Sequence, residues 1–159
     1  MPPAKYRRVY LDSSVYVAAI NGEEGRAETV RQILDAAEKQ EIIVIASTFL
    51  VTEVIKIKGE ALPISIDTEL EIDKVLMSER LLIVELDLTL ALEARKLARI
   101  HGLRPGDSIH LATAIRHKAE VLLRYDDRFK SRTEIAGLEL CDPYWWGGAA
   151  LPGLEKGKV

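Results

Sequence analysis

The sequence predicts an α/β protein, a three-layer α/β/α sandwich with a mostly parallel sheet of four to five strands. Short apolar runs such as Ile-Ile-Val-Ile-Ala at 42–46 have the length and composition of a strand covered on both faces. Longer stretches between these runs repeat their apolar residues every three to four positions, as amphipathic helices do. Strands that alternate with helices in this way form a parallel sheet between two helical layers.

The first half of the chain contains two strands and a series of helices. These elements are a strand at 8–12, helices over 13–20 and 25–39, a strand at 42–46 and a helical hairpin around 48–78. Ser47 is a candidate N-cap for the first helix of the hairpin, which carries Glu53. Gly59 and Pro63 end that helix, and a second helix over 67–78 completes the hairpin.

The second half follows the same alternation. Its elements are a strand at 81–86, helices over 88–101 and 107–117, a strand at 121–125 and a possible fifth strand at 138–140 on the sheet edge. Asp87 is expected to cap the first of these helices, and Asp107 is expected to open the second, directly after Pro105-Gly106. Residues 1–142 are therefore predicted to form one domain, followed by a C-terminal tail at 143–159.

Composition is that of an ordinary soluble domain. The chain has 159 residues, of which 48 % are apolar and 30 % are charged. No apolar run approaches the ~20 residues that span a bilayer, and the N-terminus lacks the apolar stretch of a signal peptide. The single Cys141 excludes an internal disulfide framework. We therefore expect a cytoplasmic protein with no membrane association. The net charge of −3 leaves a nucleic-acid partner undecided, because acidic site residues add to the negative count.

Four acidic residues lie near the ends of predicted strands or in the helices beside them. They are Asp12, Glu53, Asp107 and Asp126. In an open α/β sheet, the carboxyl ends of the strands and the neighbouring helix starts form one crevice, so these residues can meet there. Clustered carboxylates repel one another, whereas Mg²⁺ and Mn²⁺ prefer oxygen ligands. The pattern therefore predicts a site for a divalent cation.

Each acid also has a purely structural alternative. Asp12 and Asp107 could cap helices, which does not exclude a role as metal ligands. Asp126 and its neighbour Asp127 could form an ordinary turn, and Asp127 competes with Asp126 for the fourth position. Glu53 lies on or beside the apolar face of its predicted helix, where an ordinary exposed glutamate is less expected.

The ordered set of four acids resembles that of the PIN-domain nucleases, and particularly that of the VapC-type toxins of toxin–antitoxin pairs. In that family the first Asp ends a strand before Thr or Ser, here Asp12-Ser13, and the Glu lies one helix after the second strand, here Glu53. The third acid opens a helix of the form D-x-x-H/x-x-A-T-A, in which the fourth position is His or another residue, here Asp107 to Ala114. The fourth lies in a T-x-D-x-x-F turn, here at Asp126. The resemblance extends from about Val9 to about Cys141.

Two positions depart from the family pattern. Arg124 stands where the family usually has Thr or Ser, and Ser14 stands where it often has Asn. Both changes bear on how Asp126 or its water is held. His110 is one helical turn after Asp107. Because oxygen-rich Mg²⁺ sites seldom use imidazole, we expect His110 to pack near the site and not to bind the metal.

The resemblance implies metal-dependent hydrolysis of RNA phosphodiester bonds. Asp12 and Asp107 would bind Mg²⁺ or Mn²⁺ directly, and Glu53 and Asp126 would act through water or at a second metal position. It also implies a homodimer and a small antitoxin partner. Two alternatives stay open: a PIN-type nuclease in RNA processing without an antitoxin, and a non-catalytic PIN-fold binding module, for which Arg124 is the only sequence support.

Two further groups of residues bear on partners. Basic residues that follow the acids in sequence form either a solvated face or a cationic rim for phosphate oxygens; they are Lys56, Lys58, Arg104, Arg124, Arg128 and Lys130. The hairpin over 48–78 has more apolar residues than two amphipathic helices need for one buried face. The excess predicts an exposed apolar groove that binds a partner.

Overall fold

The computed structural model describes residues 5–125 and 128–147. Its sheet has six strands, namely β1 (Arg8–Leu11), β2 (Ile43–Ser47), β3 (Leu81–Val84), β4 (Val121–Leu123), β5 (Glu134–Ile135) and β6 (Leu138–Cys141). Their order is β3-β2-β1-β4-β6-β5, and every pair is parallel except β5 with β6. The predicted fold class is confirmed. The sheet exceeds the four to five strands expected, because β5 pairs with β6 and takes the edge predicted for 138–140.

The described helices form a layer on each face of the sheet. They are α1 (Ser13–Ile20), α2 (Arg26–Glu38), α3 (Phe49–Glu53), α4 (Ile66–Leu76), α5 (Leu88–His101) and α6 (Pro105–Arg116). Helix α1 packs with α2 and α4, whereas α5 packs with α6. Alternate side chains of β1 point to opposite faces of the sheet, as strand geometry requires. Val9 and Leu11 join the core beneath α1 and α2, and Tyr10 joins the core beneath α6.

Two sequence predictions about the helices that carry site residues were wrong in detail. The first helix of the predicted hairpin is only five residues long and ends at Glu53, because Val54 leaves the helix with φ −99° and ψ 85°. Helix α6 begins at Pro105 with Arg104 as its N-cap, so Asp107 lies in the first turn and is not the cap. Proline is favoured at the first helical position because its fixed φ suits the helix and it lacks an N–H that would stay unpaired there.

The end of the described chain packs against the sheet. Trp146 lies edge-on to Tyr6, with 5.3 Å between the ring centroids, and Tyr144 lies edge-on to Tyr6 at 6.5 Å. The aromatic start of the predicted tail thus covers part of the core, and residues 148–159 lie outside the described ranges. Among the helices described, none is both long and apolar enough to cross a membrane.

Candidate metal centre

The candidate site lies at the carboxyl ends of β1 and β4, which are neighbours in the sheet. From β1 the sheet continues to β2 and β3 on one side, and to β4 and β6 on the other. The strand order therefore changes direction at β1, and such a switch point opens a crevice at the carboxyl ends of the strands. Asp12 follows β1 directly. Asp126 comes three residues after β4 in the sequence, but Asp126 and Asp127 are outside the described residues.

Asp12 is completely buried, and its two carboxylate oxygens have different surroundings. Oδ2 accepts hydrogen bonds from the Ser14 backbone N–H at 3.2 Å and from the Ser14 hydroxyl at 2.8 Å, which makes Asp12 the N-cap of α1. Oδ1 is buried and has no hydrogen-bond partner among the described residues; we call it the open oxygen of Asp12. Buried polar atoms are nearly always paired, so this oxygen fits a cation.

Ser14 links the two strands that border the crevice. Its hydroxyl group donates to Asp12 and accepts a hydrogen bond of 2.9 Å from the backbone N–H of Tyr125, the residue before Asp126. Ser14, one of the two departures from the family pattern, therefore fixes the end of β1 relative to the segment that leads to the fourth acid.

Asp107 is buried in the first turn of α6, and arginines contact both of its carboxylate oxygens. The Arg104 Nε atom donates to Oδ2 at 3.0 Å, and Arg128 Nη1 lies 3.5 Å from Oδ1. Arg104 is mostly exposed and Arg128 is about one-third exposed, so both guanidinium groups also reach solvent. The negative charge of Asp107 is thus compensated by two protein cations.

Glu53 is the last residue of α3, and its carboxylate contacts the Nε2 atom of His110. Burial alone would raise the pKa of Glu53. The hydrogen bond from His110, the Ser13 hydroxyl and the charge of Arg128 outweigh that effect, so the pKa of Glu53 lies below its usual value. Glu53 is therefore held in the ionised form that a metal-site carboxylate needs.

Shared neighbours bring the three described acids into one region. Arg128 contacts Asp107, and its charge also acts on Glu53. Burial first, and then the charges of neighbouring groups that include Asp12 and Glu53, raise the pKa of Tyr10 well above its ordinary value. Over 5–125 and 128–147, however, no three Asp, Glu, His or Cys side chains are arranged to enclose a metal ion. Asp107 and Glu53 instead contact the side chains of Arg104, Arg128 and His110.

His110 packs near the candidate site, as the sequence predicted, whereas Tyr10 was not predicted to be part of it. His110 is buried beside the acids, as expected, and its Nδ1 atom lies 2.5 Å from the Tyr10 hydroxyl. A tyrosine inside an otherwise apolar strand was the available signal, because a buried phenol hydroxyl normally needs a polar partner.

Arg124 is the other departure from the family pattern. Its side chain is buried, and its hydrogen bonds are to groups other than the site acids Asp12, Glu53 and Asp107. Its guanidinium group donates to Asp142 at 2.7 Å and to the Arg132 carbonyl oxygen at 3.1 Å. These contacts give Arg124 a structural role at the ends of β4 and β6. The sequence argument for a non-catalytic binding module, which depended on Arg124, is weaker for that reason.

Comparisons with known proteins agree with the fold. Similar solved structures include a Mycobacterium tuberculosis toxin, VapC20, described as cleaving the sarcin-ricin loop (TM-score 0.60, 12% identity, 82% of this chain and 98% of the other). VapBC2 of Rickettsia felis bound to a promoter DNA fragment has a TM-score of 0.59 and 20% identity, and the match covers 85% of this chain and 98% of the other. DNA-bound VapBC of Salmonella typhimurium has a TM-score of 0.60 and 18% identity, and the match covers 86% of this chain and 98% of the other. A search of curated proteins gave no significant match. The PIN domain profile matches residues 9–135, most of the chain, and the protein therefore belongs to the PIN domain family.

Proposed function

We propose that this protein is a Mg²⁺- or Mn²⁺-dependent endoribonuclease. The observation that carries the proposal is the open oxygen of Asp12, a fully buried carboxylate oxygen at the switch point of the sheet. An ionised oxygen in such a place is costly unless a cation or a donor satisfies it. Asp107 is buried and Glu53 is half-buried in the same region, and hard divalent cations prefer oxygen ligands of this kind.

The acids have separate roles in this proposal. Asp12 and Asp107 would bind the metal directly, and Glu53 and Asp126 would orient water or complete a second position. When bound, Mg²⁺ or Mn²⁺ supplies Lewis acidity toward a phosphodiester oxygen and makes water a better nucleophile at neutral pH. In this proposal the two arginines on Asp107 would turn from that carboxylate to the phosphate groups of RNA, since guanidinium groups bind either anion well.

Cleavage of a labelled single-stranded RNA by the purified protein tests this proposal. We expect cleavage with Mg²⁺ or Mn²⁺ and none in EDTA. Asp12→Asn, Glu53→Gln and Asp107→Asn should each lose most of the activity, about 100-fold or more if a charge-stabilising ligand is lost. Asp126→Asn should lose activity as well, and Asp127→Asn serves as its matched neighbour. Full activity in EDTA, or in Asp107→Asn, would contradict the proposal.

We further propose that the protein is the toxin half of a toxin–antitoxin pair, acting as a homodimer that a small antitoxin inhibits. The likeness to VapBC complexes supports this proposal, and so does a set of exposed apolar side chains between α3 and the end of α4. An Arg or Lys of the antitoxin would reach toward Asp12 and Asp107, where Arg104 and Arg128 already illustrate how a guanidinium group binds Asp107. A nuclease of RNA processing would instead leave growth unaffected when it is expressed alone.

A further inference from the structure

Two buried side chains, Tyr10 and His110, form a continuous hydrogen-bonded chain with the half-buried Glu53 carboxylate at the candidate site. The Tyr10 hydroxyl lies 2.5 Å from His110 Nδ1, and His110 Nε2 contacts the Glu53 carboxylate. Tyr10 is fully buried and His110 is 1% exposed, so neither side chain has access to solvent. Both groups come from regular elements, β1 and α6, whereas Glu53 is carried by the five-residue helix α3.

The direction of each hydrogen bond follows from donor counting. The Glu53 carboxylate can only accept a hydrogen bond, so the Nε2 atom of His110 carries the proton of that contact. In the neutral imidazole the Nδ1 atom is then an acceptor, and the Tyr10 hydroxyl donates to it. The chain therefore runs from Tyr10 O–H to Nδ1, and from Nε2–H to Glu53.

Helix α3 needs such support because its own packing is weak. Of its five residues only Leu50 is buried, and the chain leaves helical geometry at Val54, directly after Glu53. Among the described residues, the Ser13 hydroxyl and His110 hydrogen bond to the Glu53 carboxylate, and His110 is itself held from behind by the buried Tyr10 hydroxyl. Phe49 adds a ring contact on His110, with 5.7 Å between centroids.

We propose that Tyr10 and His110 are positioning residues that fix the orientation of the Glu53 carboxylate, with Tyr10 selecting the His110 tautomer that donates to Glu53. This role rests on the proposed function, since it assigns Glu53 to the metal and its water. Groups that orient metal-site carboxylates typically contribute about 10- to 100-fold in metal affinity or activity. This relay from Tyr10 through His110 to Glu53 also accounts for the burial of a tyrosine hydroxyl and an imidazole between β1 and α6.

A set of four full-length variants tests the relay. Tyr10→Phe removes only the hydroxyl group, and His110→Leu keeps a similar volume without polar atoms. His110→Gln returns a donor near the place of Nε2, and His117→Gln is a matched control at the end of α6. We expect Tyr10→Phe and His110→Leu to lose about 10- to 100-fold in RNA cleavage and in Mn²⁺ affinity measured by calorimetry. His110→Gln should recover most of that loss, and His117→Gln should behave as wild type.

A second measurement reports on the relay without any catalysis. The chain has three histidines, so the metal-free imidazole signals can be assigned by substitution in long-range ¹H–¹⁵N correlation spectra. We expect His110 to carry its proton on Nε2 in wild type and to show a mixture of tautomers in Tyr10→Phe. An Nδ1–H tautomer in wild type would overturn the proposal, as would equal losses in His110→Leu and His110→Gln. If wild type cleaved no RNA but the tautomer and Mn²⁺ results held, the relay would stand and only the proposed function would fail.

Discussion

Asp12 uses its two carboxylate oxygens for different purposes. Oδ2 caps α1 through Ser14, and the open oxygen is buried without a hydrogen-bond partner among the described residues. The structural and the functional interpretations of an aspartate after a strand are therefore compatible in one side chain. Asparagine can keep the cap, because its side-chain oxygen accepts the same hydrogen bonds, but it removes the charge that a cation requires.

We expect Asp12→Asn to leave the melting temperature of the metal-free protein unchanged or raised, because the cap stays and a buried charge is removed. Asp12→Ala, which also loses the cap, should be destabilised by about 1 kcal/mol. Mn²⁺ at about 100 times its Kd should stabilise wild type by about 2.7 kcal/mol and either variant much less. Thermal melts with and without Mn²⁺ measure both effects. A large loss of metal-free stability in Asp12→Asn, with the Mn²⁺ response intact, would leave Asp12 as a structural cap only.

Arg128 can act both in the metal-free site, where it contacts Asp107, and in the metal-bound site, where it could contact RNA. It lies near Asp107 and its charge acts on Glu53, and it is also partly exposed. A cation bound to Asp107 would neutralise the charge that holds Arg128, and the guanidinium group could then contact a phosphate. Arg128 should therefore compete with the metal for Asp107 in the metal-free protein. It should assist RNA binding once the metal is bound.

Arg128→Gln is expected to raise the affinity for Mn²⁺ slightly and to weaken RNA binding. If one phosphate contact to single-stranded RNA is lost, the slope of log affinity against log salt should fall by about 0.7. Fluorescence anisotropy with a non-cleavable RNA over a KCl series measures that slope. Arg31→Gln is the control, because Arg31 lies on α2 and pairs with Glu28 on the same helix. An unchanged slope would remove Arg128 from the RNA-binding surface.

Local sequence was sufficient where an element carries its own start and stop signals. Helices α1 and α5 have the predicted bounds, because Asp12 and Asp87 cap them, and Gly102 ends α5 in the left-handed region with φ 65°. The end of α3 at Glu53 was not predictable, because Val54, where the backbone leaves helical geometry, is neither glycine nor proline. The contact of Glu53 with His110, 57 positions later, was likewise outside the reach of local sequence. The start of α6 was misplaced because both Pro105 and Asp107 favour a helix start, and proline took the first position.

Asp87 provides a test of capping in an element away from the candidate site. The Leu90 backbone N–H and then Arg116 lower the pKa of Asp87 below its ordinary value. A carboxylate with a lowered folded pKa stabilises the protein above its unfolded pKa of about 3.9, and that contribution is lost as pH falls through the folded value. We expect Asp87→Ala to melt below wild type at pH 7, with the difference shrinking below about pH 4. Asp87→Asn, which keeps the cap, should fall in between. A difference that grows at low pH would contradict this assignment.

At the scale of the whole molecule, helix α4 has apolar residues on two opposite sides. Thr68, Ile72 and Leu76 form its buried stripe, at helical spacing. Ile66 and Leu70 are 65% and 52% exposed and lie with Met77 on the other side, and Leu62 before the helix is 61% exposed. The excess of apolar residues predicted for this region is therefore found on its surface. Apolar groups concentrated in this way typically mark a surface that binds a partner.

We expect the protein to be a homodimer that also binds a small antitoxin through this surface of α4. Light scattering after size-exclusion chromatography, alone and after co-expression with the product of a neighbouring small gene, tests both states. Leu62→Ser combined with Leu70→Ser should abolish the antitoxin complex, because each loses a buried apolar contact, and should leave the dimer intact. Ile100→Ser, which changes an equally exposed residue on α5, is the control. Loss of the dimer in the double variant would make this surface a self-association site. A stable monomer that binds no antitoxin and does not slow growth would instead favour a nuclease of RNA processing.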